Sequence, residues 1–233
     1  MPTTPAGFSE RIESLRSQLF EQGRRVQSLL ELAFNGLFSR DLEQAKRCVA
    51  ADDEVDKVDV EMERAAVALL GDAVKEGATL DQDSLRMVLT IVKCNNELER
   101  VADCAVEIAE LAAHMRSLSS PLPDTFRVMA NSSVGILRDT CVCIQKKDAA
   151  LAKVVLQSQH AVTAFKDAVL RDAEERIAKG QMSVDFAFRL HEVATVCEVV
   201  ADHCTNMAEQ IIYAMTGAIV RHTEAKWIEL PRA

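Results

Sequence analysis

The chain is poor in aromatic residues, glycine and proline. Aromatics are 4% of its 233 residues, with one Trp and one Tyr, so the core has to be built from aliphatic side chains. Eight Gly and five Pro are too few for the many turns of a sheet protein. The Ala, Leu, Val, Glu, Lys and Arg that dominate instead are the composition of long helices. No apolar run approaches the ~20 residues that cross a bilayer, which excludes a membrane-spanning helix. Positive charge is also short. A net charge of −9 argues against nucleic acid or an anionic membrane as partner, and suits basic partners or bound cations. The seven cysteines (Cys48, Cys94, Cys104, Cys141, Cys143, Cys197, Cys204) include no Cys-x-x-Cys pair, and the opening Met1 to Gly7 has no signal-peptide pattern. Free thiols acting as small buried apolar groups, in a reducing cytoplasm, are the expectation.

What is present divides at its breakers into six long segments. They run from about Pro5 to Ser39, Asp41 to Gly77, Asp81–Ser84 to about Leu118, Asp124 to Lys147, Asp148 to just before Gly180, and Ser183 to Thr216. Ser183 reads as an N-cap and Gly217 as a C-cap, and the tail to Ala233 looks less regular. Segments of about 35 residues reach roughly 50 Å and hold only if packed along their length. Short connections then make neighbours antiparallel, giving an elongated all-α bundle.

The chain also repeats itself. Ile91–Glu110 lies on Leu190–Glu209 without a gap, with identities at Glu99/Glu198, Val101/Val200, Ala102/Ala201, Asp103/Asp202, Ala109/Ala208 and Glu110/Glu209. Asp41 and Ala45-Lys46 match Asp148 and Ala152-Lys153. The expected organisation is two antiparallel three-helix units in tandem, 1–120 and 121–233, joined at Ser119-Ser120-Pro121-Leu122-Pro123.

Each copy sets a Glu and an Asp four residues apart, one above the other on a helix face. In the third segment Met87, Ile91, Cys94, Leu98, Val101, Ala105, Ile108 and Ala112 form an apolar face, with Glu99 and Asp103 roughly opposite it. The sixth segment places Glu198 and Asp202 in the same way. In the second segment Ala51, Val55, Val58, Met62, Ala65 and Leu69 form the apolar face, and Asp52, Asp56, Asp59 and Glu63 an acidic stripe beside it. A hairpin turning near Gly77–Leu80 sets Asp56 level with Asp103, Asp59 with Glu99, and Asp52 with Glu107. Two acidic stripes side by side are either a solvated polar face or an oxygen-rich site for a hard cation. In the second copy Asp52, Asp53, Asp56 and Asp59 align with Gln159, His160, Thr163 and Lys166. The stripe is lost there, and Lys166 is expected to make an ordinary surface ion pair with a carboxylate of the sixth segment.

Several chemistries are missing. No Asp or Glu stands three residues before His114, His160, His191, His203 or His222, so the Glu-x-x-His ligands of di-iron bundles are absent. There is no phosphate loop, no Gly-x-Ser-x-Gly and no His-Glu-x-x-His. His203 reads as a helix-packing or surface His rather than a ligand.

Leu85-Arg86 leading to Leu98-Glu99-Arg100-Val101-Ala102-Asp103, preceded by Asp53-Glu54-Val55-Asp56, resembles the PhoU family pattern. So do Ala201-Asp202-His203 with Asn206, and the ending Ile211-Ile212-Tyr213, Thr216-Gly217, Arg221-His222. The resemblance implies a cytoplasmic, non-enzymatic negative regulator of phosphate uptake and of the phosphate-starvation response. Its implied partners are the ATPase of the Pst phosphate ABC transporter and a PhoR-type histidine kinase, and it implies a homodimer. It also implies metal (iron, zinc, manganese or magnesium) at Asp52, Asp56, Glu99, Asp103, Glu198 and Asp202. Val199 stands where the family usually has Arg. The alternatives are a carboxylate-bridged metalloenzyme and a helical adaptor unrelated to phosphate.

Overall fold

A computed structural model describes residues 5–115 and 120–220. Among these residues six helices follow one another: α1 (Pro5–Ser39), α2 (Leu42–Lys75), α3 (Gln82–Met115), α4 (Asp124–Lys146), α5 (Ala149–Ala178) and α6 (Val184–Thr216). The expected boundaries are close to these. The end of the third segment, Ser119, Arg221-His222 and the tail fall outside the described residues.

The duplication is written into the turns. Arg40 and Lys147 both take φ of 54°, and each is followed by an Asp N-cap. The Asp41 side chain accepts from Glu43 N–H, and that of Asp148 from Ala150 and Leu151 N–H. At the next turn of each copy Gly77 (φ 65°) and Gly180 (φ 66°) take the left-handed conformation. Behind them Ala78 N–H reaches Ala73 O and Gln181 N–H reaches Arg176 O, closing the same helix ending twice.

Helices α1, α2 and α3 pack on one another, and α4, α5 and α6 repeat the arrangement. The units meet through α1 against α4 and α3 against α6, while α2 and α5 flank them. Thr90 Oγ1 donates to Gln210 O across α3 and α6 (3.2 Å), and Ser133 Oγ to Cys197 O across α4 and α6 (3.4 Å). One continuous aliphatic core therefore runs through both repeats. All seven cysteines are buried and unpaired within it, and burial pushes the Cys48 thiol up to about 12.

The face of α2 differs from the sequence expectation. Its buried line is Cys48, Val55, Met62, Ala66, Leu69 and Ala73, whereas Ala51 is exposed and Val58 and Ala65 are only partly covered. A flanking helix is covered from one side, so its core stripe narrows to nearly a seven-residue spacing.

Gly23 sits where α1, α3 and α4 meet. A Cβ built there stands 2.5 Å from Cys141 Sγ and 3.7 Å from Leu98 Cδ1. Alanine favours a helix interior over glycine by about 1 kcal/mol, yet crowding a buried sulfur costs about 1–3 kcal/mol. Gly23→Ala is expected to lower the melting temperature, and Cys141→Ala added to it to recover part of the loss. A Gly23→Ala variant that melts above wild type would refute this packing.

Candidate functional site

Helices α2 and α3 carry the acids of the first repeat. They run antiparallel, with Asn95 Nδ2 donating to Asp59 Oδ1 (2.6 Å) and Asp59 O (3.1 Å). Asp59 is thus level with Asn95, so the expected register is off by about one helical turn, although Asp59 still lies near enough to Glu99 for their charges to interact. Residues 78–81 are not helical. Extended chain advances about twice as far per residue as helix, so α3 reaches each level earlier in its numbering. The seam that results brings Asp52 towards Asp103, and Asp56 and Asp59 towards Glu99.

The electrostatics along this seam are unfavourable. Burial and the charges of Asp56, Asp103 and Asp53 push Asp52 up to about 6. Burial, then Asp103, Asp59 and Asp56, raise Glu99 against the opposing pull of Arg100. Asp59 is raised by burial, Glu63 and Asp56, against the hydrogen bond from Asn95. Two acceptors on the seam, Asp52 Oδ1 and Asn95 Oδ1, are buried without a hydrogen-bond donor. As the side chains stand, no three His, Cys, Asp or Glu among the described residues are gathered so as to hold one ion. The donor set is nonetheless hard oxygen throughout, with orphaned acceptors and uncompensated charge, which is the chemistry a hard cation fits.

The second repeat answers the same positions with donors. Lys166 Nζ donates to Glu198 Oε2 (2.7 Å), Thr163 Oγ1 to Glu198 Oε1 (2.8 Å), and Gln159 Nε2 to Asp202 Oδ1. The Lys166–Glu198 pair is not the surface pair expected, since its side chains are 17% and 25% exposed. Hydrogen bonds from Lys166 and Thr163 hold the Glu198 carboxyl below its ordinary value. Glu99 and Glu198, equivalent in sequence, are therefore shifted in opposite directions.

A third cluster joins the repeats. His203 Nδ1 lies 2.7 Å from Glu97 Oε2, and Asn206 Nδ2 donates to the same oxygen at 3.1 Å. Burial pushes Glu97 up, but these hydrogen bonds and the charges of His203 and Arg100 outweigh it, and the carboxyl titrates below its ordinary value. Beside this clasp runs a groove of about 510 Å³ lined by Asp59, Glu63, Asn95, Glu97, Asn206 and Glu209, among others. Sequence reasoning anticipated His203 as a packing residue but missed Glu97. Its signal was faint: Glu97 aligns with Val196, so an acid stands on a helix side where the other copy is apolar.

The PhoU domain family model matches residues 19–112 and again 126–211. The chain belongs to the PhoU family. The phosphate-specific transport system accessory protein PhoU homolog 1 of Thermotoga maritima is 25% identical over 212 residues, 90% of this chain and 89% of the relative. The accessory protein PhoU of Escherichia coli (strain K12) is 24% identical over 216 residues, 92% and 88% of the two chains. The crystal structure of PhoU from Pseudomonas aeruginosa superposes with a TM-score of 0.82 at 22% identity, covering 91% of this chain and all (100%) of that one. The phosphate transport system regulatory protein PhoU from Streptococcus pneumoniae gives 0.81 at 21% identity, covering 91% and 99%. The PhoU fold accounts for the two matched segments, each of which ends inside the third helix of its repeat or at that helix's last turns. Among the described residues no helix is long and apolar enough to cross a membrane.

Proposed function

We propose that this PhoU-family protein is a negative regulator of phosphate uptake and of the phosphate-starvation response. It acts as a non-enzymatic helical adaptor, docking on the ATPase of the Pst transporter and on a PhoR-type sensor kinase through its long helical faces. A homodimer in the cytoplasm is the working form. The observation that carries the reading is the family match in both repeats, together with full-length relatives that are named accessory proteins of phosphate transport. Deleting the gene in the source bacterium is expected to switch on phosphate-responsive genes in phosphate-rich medium. Normal repression in the deletion strain would sink the assignment.

Asp52, Asp56, Glu99 and Asp103 would hold a hard cation on the α2–α3 seam. The cation would neutralise the acids and fix the outer face of the first repeat for docking. What supports this is the orphaned Asp52 Oδ1 among mutually raised carboxyls. The residues of the second repeat do not fit the same group, because Glu198 and Asp202 already accept from Lys166, Thr163 and Gln159. Metal analysis of purified wild type against Glu99→Ala/Asp103→Ala is expected to show bound metal that the variant loses. If no metal co-purifies or can be reconstituted, the acids are a polar face.

A further inference from the structure

The two carboxylate pairs differ in what faces them, position by position. Where α2 presents Asp52, Asp56 and Asp59, α5 presents Gln159, Thr163 and Lys166. Each of the three replacements is a hydrogen-bond donor, and each of them donates to Glu198 or Asp202. The three differences between the copies are of one kind and fall along one face, all aimed at the same two carboxylates. Lys166 contributes a full positive charge, and its 17% exposure shows the ammonium drawn in along the seam rather than extended into water. Both oxygens of Glu198 are occupied, one by the ammonium and one by the Thr163 hydroxyl.

We infer that the Lys166 ammonium is a tethered counter-cation that permanently closes the second carboxylate pair. External cations then act on the first repeat alone. The inference rests on the reading of the α2–α3 seam as a cation site and adds a regulatory asymmetry to it. One face of the molecule is switched by ion occupancy; on the other, Glu198 is neutralised by Lys166 and Asp202 is held by the Gln159 amide at all ion concentrations. Removing the ammonium opens the second face. Gln159→Asp/Thr163→Asp/Lys166→Asp rebuilds on α5 the acid stripe of α2 and makes a second ion-responsive seam.

Hydrogen exchange of the full-length, chelator-stripped protein, with and without millimolar Mn²⁺, tests this. In wild type, Mn²⁺ is expected to slow exchange in α2 and leave α5 unchanged. In metal-free Lys166→Met, which keeps the aliphatic stem, α5 is expected to exchange about fivefold faster than in wild type, because the half-buried Glu198 loses its counter-charge and keeps only the Thr163 hydroxyl. In the triple variant, Mn²⁺ is expected to slow α5 as it slows α2. Equal Mn²⁺ protection of α2 and α5 in wild type overturns the inference, as does unchanged α5 exchange in Lys166→Met. If Mn²⁺ slows neither helix in wild type, the cation reading of the first repeat fails. The metal-free comparison of wild type with Lys166→Met still decides the part of Lys166.

Discussion

Stripped of cations, the protein is expected to grow more stable as the pH falls from 7 towards 5. The folded state raises Asp52 from an ordinary 3.8 to about 6. Between those values the unfolded chain has released this proton and the folded chain still holds it, so acid favours folding. The contribution is fully present below the unfolded value and is lost as pH rises through the folded one. Glu99 and Asp59, also raised, act in the same direction. Glu97 and Glu198 are shifted down from 4.5 and oppose the trend only as pH drops below that value. Asp52 is half-exposed, and solvent screening limits its share to about 1 kcal/mol, or about 2–4 °C in melting temperature for a chain of this size. A divalent cation held at the proposed site would substitute for the protons. Mn²⁺ should therefore raise the melting temperature more at pH 7 than at pH 5, and Asp52→Asn should melt higher than wild type in chelator at pH 7. Melting that is flat between pH 5 and 7 in chelator would remove the electrostatic basis of the site.

The larger effect is expected at the seam between repeats. Phe126, at the start of α4, is fully buried, and its ring centroid lies 5.8 Å from that of Phe38 near the end of α1. The Arg127 guanidinium caps the other ring, 4.0 Å from the Phe38 centroid. Phe126→Ala removes the anchor of this corner and leaves a cavity that rigid helices on both sides cannot close, at a cost of about 3–5 kcal/mol. The expected drop in melting temperature is roughly 10 °C. Because the core is continuous, both repeats should melt together in the variant. A separate transition for residues of the first repeat would show that the units are independent.

Which features were legible in the sequence follows from how local their causes are. Ser183 and Gly217 act on their own helix ends, and the observed caps lie at those residues; Asp41 and Asp148 were legible only as segment starts, and each proves to be an N-cap. The exposed or half-exposed setting of Glu99, Asp103, Glu198 and Asp202 followed from a 3.6-residue period. The level at which Asp59 meets α3 did not, because it depends on the path of residues 78–81, which no period describes. The Lys166–Glu198 contact was anticipated as a pairing, but its burial depends on how closely α5 lies against α6. The Glu97–His203 clasp joins residues more than a hundred positions apart and required the docking of two repeats to exist.

The shared core has a consequence for synthesis. Helix α3 is buried against α1 and α2 and also against α6, the last helix of the described residues. As the chain leaves the ribosome, the first three helices can associate early because their contacts are local. The side of α3 carrying Thr90 and Cys94 then stays open until Gln210 and Met207 arrive, more than a hundred residues later. The nascent first repeat is thus a half-finished surface for most of translation. A truncated transcript ending before α6 would yield a sticky fragment rather than a working half-protein.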